Sequence, residues 1–326
     1  MIARATAVLF LAISIAAVST AAMALSADEV NAASWRPLEG PSSKKPDPMI
    51  VKAQALLDRR GFSPGVIDGY DGENFRKAVA IFRRIEGLGD GDALDEATWR
   101  ALGGEAQSQI IINYTVSAED AAYEFAQRIP ADYAEQAKMK RLGYVNAQEM
   151  LAERFHMDTD LLAALNAGVA LHEKGANVKV LAAQRPEPEQ ATRIDADKGR
   201  GLLIVYGAEN KVLASFPATI GSERTPTPSG ELTVTRVARN PTYHYDPEKN
   251  FQQGANRDRL TLPPGPNNPV GSTWIALSKP TFGIHGAPEP SKIGKTASHG
   301  CVRLTNWDAA WLVQMVKPGV VVRFID

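Results

Sequence analysis

Residues 202–220 have the sequence LLIVYGAENKVLASFPATI, in which two apolar runs flank four residues that favour a turn. This pattern predicts a β-hairpin with Leu202–Tyr206 and Lys211–Ile220 as its strands and Gly207–Asn210 as its connection. Two further strands and one helix are predicted in the same part of the chain, at Glu231–Ala238, Gly319–Ile325 and Trp307–Val316. Residues 197–326 are therefore expected to form a mainly-β domain.

The segment before this domain contains Pro186–Gln190, a charged, proline-bearing stretch that predicts a linker over residues 183–196. Further upstream, residues 110–182 show a helix signal around Met150 and a helix N-cap at Asp158. The region closes with a predicted strand at Asn177–Leu181. We expect an α/β middle region here.

Helical periodicity dominates the first module, residues 48–103. Its apolar positions fall at helical spacing after Pro48 and again around Phe75 and Phe82, and Trp99 indicates a third, shorter helix. The glycine-rich and proline-bearing turn at 61–69 separates the first two helices. The sequence predicts three short helices around one small core.

The N-terminus has Arg4, an apolar run from Ala5 to Val18, and small residues ending at Ala24. These features are typical of a secretory signal peptide, assigned to residues 1–24, although an uncleaved anchor is an alternative. A flexible linker is expected over residues 25–47. The protein is therefore expected in the periplasm.

The bulk composition restricts the classes of partner. With 36 Lys and Arg against 37 Asp and Glu, the chain has no overall positive charge to attract nucleic acid, which is not expected as a partner. A length of 326 residues favours several modules rather than one core. The single cysteine, Cys301, cannot form an intramolecular disulfide, so its thiol is either a small buried group or a reactive one.

Two short motifs favour the reactive thiol. Gly283-Ile284-His285-Gly286 is followed by Ser298-His299-Gly300-Cys301-Val302-Arg303-Leu304. A thiol is mostly protonated at neutral pH, so a nucleophilic cysteine needs a base beside it. His285, at the end of an apolar strand, is the better candidate than His299. Gly286 is expected to allow a sharp turn, and its carbonyl to hold the other ring nitrogen of His285.

Backbone and charged groups near Cys301 complete the predicted site. The amides of Gly300 and Cys301, with that of His299, are candidates for an oxyanion hole. Ser298 and Arg303 are assigned to substrate binding, because the forked guanidinium of Arg303 suits a carboxylate; a structural salt bridge is the alternative for Arg303. The positions of Tyr243, His244, Trp274 and the loop 262–269 beside the groove are left unranked.

The His285-Gly286 and Ser298–Arg303 motifs resemble the signature of the L,D-transpeptidase, or YkuD, family, over residues 197–326. Thr225–Gly230 is similar to a TP-x-G segment of that family, and Asn306-Trp307-Asp308 also matches. The resemblance implies that the Cys301 thiolate attacks the third residue of a peptidoglycan stem tetrapeptide and releases D-alanine. An amine then resolves the thioester, and a diaminopimelate amine gives a 3-3 cross-link.

The upstream regions carry two further resemblances. The turn at 61–69 and the helix after it resemble the peptidoglycan-binding-like helical domain, with Phe62 where tyrosine is common. Residues 110–182 resemble a LysM module, with Asn146–Glu149 in place of its usual Gly-Asp-Thr start. The expected fold is therefore multidomain α+β: a three-helix domain, a LysM-like α/β region and a mainly-β YkuD-like catalytic domain.

Three alternatives stay open at this point. His285, His299 and Cys301 could bind a catalytic zinc, although no metal or other cofactor is the expectation. The acyl-enzyme could pass to water, as in a carboxypeptidase, or the chain could be an inactive wall-binding protein. The expected partners are peptidoglycan stem peptides and an amine-bearing acceptor, which could be a protein, and the chain is expected to be a monomer.

Overall fold

The computed structural model describes residues 25–38, 45–221, 229–249, 251–296 and 300–326. The predicted signal peptide and the segment similar to TP-x-G, up to Pro228, lie outside these ranges.

The N-terminal part is helical. It contains α1 (Ala27–Ala32), α2 (Pro48–Arg59), α3 (Glu73–Ile85) and α4 (Glu96–Ala101). Asp47 caps α2 by accepting from the amide of Met49 at 2.9 Å, with Pro48 in the first turn, where its missing N–H costs no hydrogen bond. Phe75, Phe82 and Trp99 are buried in the core, so the prediction of three short helices is confirmed.

The helix α1 lies inside the segment expected to be a linker. Ser26 and Glu29 form a reciprocal capping box, and Val30 is fully buried against the core. The side chain of Asn31 accepts from the amide of Ile111 at 2.8 Å, which ties α1 to the middle region. The linker prediction therefore fails for α1, because capping and burial compensate for the cost of ordering these residues.

The middle region places four short helices between two paired strands. Its elements are β1 (Ile111–Thr115), α5 (Ala118–Ala121), α6 (Tyr133–Gln136), α7 (Ala147–Arg154), α8 (Thr159–Leu165) and β2 (Asn177–Leu181). β1 and β2 pair antiparallel, with Ile111 opposite Leu181. Asp158 caps α8, as predicted. The LysM-like interpretation stays a prediction. This region and the N-terminal helices share one hydrophobic core.

The C-terminal domain is built on strands and one helix. Its elements are β3 (Arg193–Asp197), β4 (Leu202–Tyr206), β5 (Val212–Pro217), β6 (Thr219–Ile220), β7 (Gly230–Arg239), β8 (Tyr243–Tyr245), β9 (Leu260–Leu262), β10 (Thr273–Leu277), β11 (Gly283–His285), β12 (Val302–Arg303), α9 (Asn306–Met315) and β13 (Val321–Ile325). Short 3-10 turns occur at Ala208–Asn210 and Pro290–Lys292. The mainly-β prediction is confirmed, and so is the hairpin of β4 and β5. The second strand of the hairpin is shorter than predicted, because Thr219–Ile220 forms β6, which pairs with β12 instead.

Within the described ranges, nine strands form one mixed sheet in the order β5-β4-β3-β13-β7-β10-β11-β12-β6. β13 pairs parallel with β3, and β12 pairs parallel with β11. The apolar side of α9 packs on this sheet with the buried residues Leu312, Val322 and Ile275. β8 and β9 form a separate hairpin that stands beside β10 and β11.

The predicted linker 183–196 is partly structured. β3 begins at Arg193, four residues before the predicted domain start at Asp197. The side chain of Arg185 is only 5% exposed and donates to Asp308 at 2.6 Å and to Asp58. Because a buried charge is tolerated only when it is paired, this segment is held in place by ion pairs to the helices α2 and α9.

Candidate active site

The sheet aligns three predicted side chains in one row. Trp274 on β10 lies opposite His285 on β11, and His285 lies opposite Arg303 on β12. Directly paired residues on neighbouring strands point to the same face of a sheet. Trp274, His285 and Arg303 therefore face one side, and Cys301, two residues before Arg303, belongs to the same face by strand alternation.

His285 is held rigidly. Its Nδ1 lies 2.7 Å from the carbonyl oxygen of Gly286, and its ring stacks on Trp274 with 5.3 Å between centroids and 20° between planes. Burial lowers the pKa of His285 to about 4, and the charge of Arg303 adds to this, although the bond to Gly286 opposes it. The ring is neutral at pH 7, so Nδ1 carries the proton donated to the carbonyl and Nε2 is left to accept one.

The structure explains the glycine at position 286 differently from the sequence-based prediction of a sharp turn. Gly286 does not adopt the left-handed backbone that a sharp turn would require. Instead, a Cβ at this position would overlap Oδ1 of Asn306, the first residue of α9. Asn306 in turn accepts from the amide of Ser272 at 3.0 Å and donates to Pro266 at 3.1 Å. Close packing on Asn306 therefore requires the glycine whose carbonyl orients His285.

Cys301 is half-buried at the end of β12, and its Sγ donates to the carbonyl of Thr281 at 3.5 Å. Burial raises the pKa of the Cys301 thiol above its ordinary value of 9.0, and a backbone hydrogen bond from Gly283 and the charge of Arg303 offset only part of this. A neutral thiol and a neutral imidazole are thus the resting forms.

Arg303 carries a charge that the described part of the chain does not neutralise. Among the described residues, no carboxylate lies within salt-bridge distance of its guanidinium. The alternative of a structural salt bridge thus finds no support in these ranges. The positive charge of Arg303 lowers the pKa values of His285 and Cys301.

These side chains line a cavity of about 200 Å³. Its walls are formed by Tyr133, Tyr243, Lys249, Phe251, Pro269, Val270, Trp274, Thr281, Phe282, His285, Cys301 and Arg303. Of the unranked residues, Tyr243 and Trp274 lie here with Pro269 from the predicted loop. His244 lies in an adjacent cavity of about 210 Å³ that does not include Cys301.

Ser298 and His299 lie outside the described residues. Gly300 is described and has φ = +107°, a backbone conformation that favours glycine. The oxyanion-hole assignment therefore stays a prediction. The described residues contain no group of three His, Cys, Asp or Glu side chains that could hold a metal ion, and the zinc alternative also involves His299.

Sequence reasoning missed the aromatic side of the pocket. Tyr133, Phe251 and Phe282 line the cavity, but none of them stands in a motif with Cys301 or His285. Tyr133 belongs to α6 in the middle region and reaches the pocket only through the fold. No spacing signal in the sequence connects it to the reactive residues.

Within the described ranges, no helix is long and apolar enough to cross a membrane.

Residues 191–323 match the family model described as L,D-transpeptidase catalytic domain, and residues 46–102 match one described as "Putative peptidoglycan binding domain". The resemblances to the L,D-transpeptidase family and to the peptidoglycan-binding domain are thereby confirmed, whereas the resemblance to LysM stays a prediction.

Three relatives are similar to part of this chain. "Putative L,D-transpeptidase YkuD" of Bacillus subtilis (strain 168) is 32% identical over 116 residues, which are 36% of this chain and 56% of that protein. A protein of the same name in Bacillus licheniformis is 26% identical over 171 residues, which are 52% of this chain and 88% of that protein. "Putative L,D-transpeptidase in ATP synthase subunits region ORF 5" of Fuscovulum blasticum is 32% identical over 130 residues, or 40% and 67%. With this catalytic-domain match and these relatives, the chain belongs to the L,D-transpeptidase (YkuD) family.

Proposed function

We propose that this protein is a cysteine-dependent L,D-transpeptidase that acts on peptidoglycan stem peptides. Cys301 would form a thioester with the stem, D-alanine would leave, and an amine would resolve the thioester to give a 3-3 cross-link or an attached acceptor. The observation that carries the proposal is the shared cavity of Cys301 and His285, with His285 oriented by the Gly286 carbonyl at 2.7 Å.

The acylation step begins from two neutral groups. As Sγ of Cys301 bonds to the substrate carbonyl carbon, Nε2 of His285 takes the thiol proton, and the carbonyl oxygen becomes an oxyanion. The amides of Gly300 and Cys301, with that of His299, are proposed to stabilise this charge. The tetrahedral species then collapses: the C–N bond breaks, His285 returns the proton to the leaving amine of D-alanine, and the thioester remains.

The second half-reaction reverses the proton movements. An acceptor amine approaches the thioester carbonyl, His285 takes a proton from it, and the new amide forms as the C–S bond breaks. The thiol regains its proton from His285. The low pKa of His285 fits this role, because the ring is unprotonated before each nucleophile arrives.

The positive charge of Arg303 is evidence for a negatively charged substrate. Its guanidinium faces the cavity without a carboxylate partner among the described residues, and a stem peptide carries carboxylates. The peptidoglycan-binding match at residues 46–102 supports the same substrate class. A periplasmic location, a protein acceptor and a monomeric state are parts of the proposal that rest on the sequence alone.

The test is incubation of the purified protein with a disaccharide tetrapeptide, with mass spectrometry of the products. Wild-type protein should release D-alanine and form 3-3 dimers, whereas Cys301→Ala and His285→Ala should do neither. Arg236→Met, a change outside the catalytic cavity, is the matched control. Tetrapeptide trimmed to tripeptide without dimers would indicate a carboxypeptidase, and activity retained by Cys301→Ala would overturn the proposal.

A further inference from the structure

Residues 129–143 of the middle region form an arm that crosses to the catalytic domain. The amide of Leu142 donates to the carbonyl of Pro264 at 3.0 Å, and the amide of Asn267 donates back to the carbonyl of Leu142 at 3.0 Å. Gly265 lies so close to Leu142 that a Cβ there would overlap the Leu142 carbonyl. The arm is thus bonded, backbone to backbone, to the loop that follows β9.

Apolar side chains join the arm to the β8–β9 hairpin. Leu142 is fully buried with Tyr245 and Leu262 in a small core separate from the two large ones. Half-buried residues of the arm and the hairpin pack around it: Ile129, Tyr133, Ala137, Met139, Tyr243 and Leu260. Because burial of apolar side chains is favourable, these contacts hold the arm against the hairpin.

Tyr133 is fixed at the tip of this arm. Its amide donates to Oε1 of Gln253 at 3.2 Å, and Nε2 of Gln253 donates to the carbonyl of Ala131 at 2.9 Å. The ring meets Tyr245 and Phe251 edge-on, with centroids 5.4 Å and 6.2 Å away. Edge-to-face contacts of this kind limit the orientation of a ring beyond simple burial.

Tyr133 lies at the junction of two cavities. It lines the catalytic cavity with Cys301 and Arg303, and it also lines a second cavity of about 170 Å³ that contains Glu289 and Lys292. Arg303 lines both as well. Any group that enters past this junction therefore meets a phenol and a guanidinium.

The hydroxyl of Tyr133 is available to a ligand. Among the described residues it has no hydrogen-bond partner; the bond to Gln253 uses the backbone amide. Burial raises the pKa of Tyr133 to about 12, against the opposing charge of Arg303, so the hydroxyl keeps its proton. A neutral phenol and a guanidinium are both hydrogen-bond donors, and the acceptor that satisfies both with charge compensation is a carboxylate.

We propose that Tyr133 is a substrate-binding residue that the middle region contributes to the catalytic cavity, where its hydroxyl and Arg303 together bind a carboxylate of the stem peptide. This inference rests on the proposed function for the identity of the substrate. It makes the active site composite: the catalytic domain supplies the reactive groups, and the arm supplies part of the specificity.

The test measures binding separately from turnover. In a Cys301→Ala background, calorimetry with the tetrapeptide compares Tyr133→Phe with Tyr123→Phe. The control Tyr123 belongs to the same region, lies outside the cavity, and accepts from the amide of Tyr144 at 3.3 Å. Tyr133→Phe should weaken binding about 10-fold, as expected for a lost hydrogen bond to a charged group, and Tyr123→Phe should not.

Two amidated tetrapeptides identify the carboxylate. One has a C-terminal carboxamide and the other an amidated diaminopimelate carboxyl. The effect of Tyr133→Phe should disappear for one of these ligands, because its carboxylate has been removed, and persist for the other. No weakening with the unmodified tetrapeptide would overturn the inference, and so would equal weakening with both ligands and with a third ligand amidated at the remaining D-glutamate carboxyl.

Kinetics with the intact cysteine add a second readout. Tyr133→Phe should raise KM about 10-fold, leave kcat within about 3-fold, and leave the rate of Cys301 alkylation by iodoacetamide unchanged. A fall in kcat with unchanged KM would indicate a merely structural role and overturn the inference. If the wild type binds the tetrapeptide through Tyr133 but does not turn it over, the proposed function fails and the inference stands.

Discussion

Two arginines near the reactive domain differ in their partners. Arg185, in the segment before β3, is 5% exposed and is bonded to both Asp58 and Asp308. Arg303, on the wall of the catalytic cavity, has no carboxylate within salt-bridge distance among the described residues. The first joins helices α2 and α9, whereas the second is the one that we propose to bind substrate.

The pKa values follow the same division. Burial alone would raise the pKa of Asp58, but Arg185 and His156, whose Nδ1 lies 2.8 Å away, lower it well below its ordinary range. In the catalytic cavity burial prevails, so the pKa of Cys301 is raised and that of His285 is lowered to about 4. Ion pairs keep Asp58 charged in the interior, whereas burial favours the neutral forms of Cys301 and His285.

The largest effect is expected from Arg185→Met. This change leaves Asp58 and Asp308 buried without their cation, and breaking such a pair typically costs about 3–5 kcal/mol. Urea denaturation should show this loss in the free energy of unfolding. Arg128→Met, which removes an exposed pair with Glu135, is the control and should change it by less than about 0.5 kcal/mol. An unchanged unfolding free energy for Arg185→Met would contradict the conclusion that the ion pairs of Arg185 stabilise the fold.

Glu153 is a buried carboxyl with no cationic partner among the described residues. Burial raises its pKa to about 8, and the charge of Glu149 adds to this, although Asn306 donates to it at 3.0 Å. Between its ordinary value of 4.5 and about 8, the folded state holds a proton that the unfolded state has lost. Its contribution to stability is therefore present below pH 4.5 and is lost as the pH rises toward 8, by up to about 1.4 kcal/mol per pH unit.

Glu153→Gln should remove this dependence. Relative to wild type, the variant should gain on the order of 3 kcal/mol in unfolding free energy between pH 5 and pH 8. Chemical denaturation at several pH values measures the difference, and the exposed Glu124→Gln serves as the control. Parallel pH profiles for Glu153→Gln and wild type would show that Glu153 does not titrate in this range.

Arg303→Met should separate binding from stability. Loss of a guanidinium bond to a carboxylate should raise KM for the tetrapeptide about 10- to 100-fold, which corresponds to about 1.5–3 kcal/mol. The free energy of unfolding should change by less than about 1 kcal/mol, because no described carboxylate depends on Arg303. The control is Arg236→Met, next to the adjacent cavity. A stability loss as large as that of Arg185→Met would contradict the comparison.

The smallest effect concerns the thiol itself. Because burial raises the pKa of Cys301, its alkylation by iodoacetamide should still be accelerating with pH at pH 9. Removing the positive charge in Arg303→Met should raise that pKa further and slow alkylation at pH 8 by a few-fold. A plateau reached below pH 8 in the wild type would indicate a resting thiolate instead.

Local patterns accounted for most of the secondary structure. The hairpin β4–β5, the helix α9 and the cap at Asp158 were all predicted, because periodicity and capping depend on residues close in sequence. The linker predictions failed where order came from distant contacts. Composition does not reveal that Val30 is buried or that Arg185 has two carboxylate partners.

The reactive residues were predictable for a similar reason. His285 lies on β11 and Cys301 directly precedes the neighbouring strand β12, so motifs close together in the sequence indicated a common site before any fold was known. The sequence predicted one of the two features of Gly286. Its carbonyl bonds to Nδ1 of His285, as predicted, but glycine is needed at this position because a Cβ would overlap Asn306.

The sequence alone predicted the mainly-β catalytic domain, the helical domain before it and the two motifs that contain Cys301 and His285, because each depends on a local pattern. Tertiary structure established the charge states and the remaining wall of the cavity. Burial by distant segments shifts the pKa values of His285 and Cys301, and packing of residues 129–143 on the β8–β9 hairpin brings Tyr133 beside Arg303. Contacts between residues far apart in the chain leave no periodic trace in the sequence, so they emerge only when the whole chain is folded.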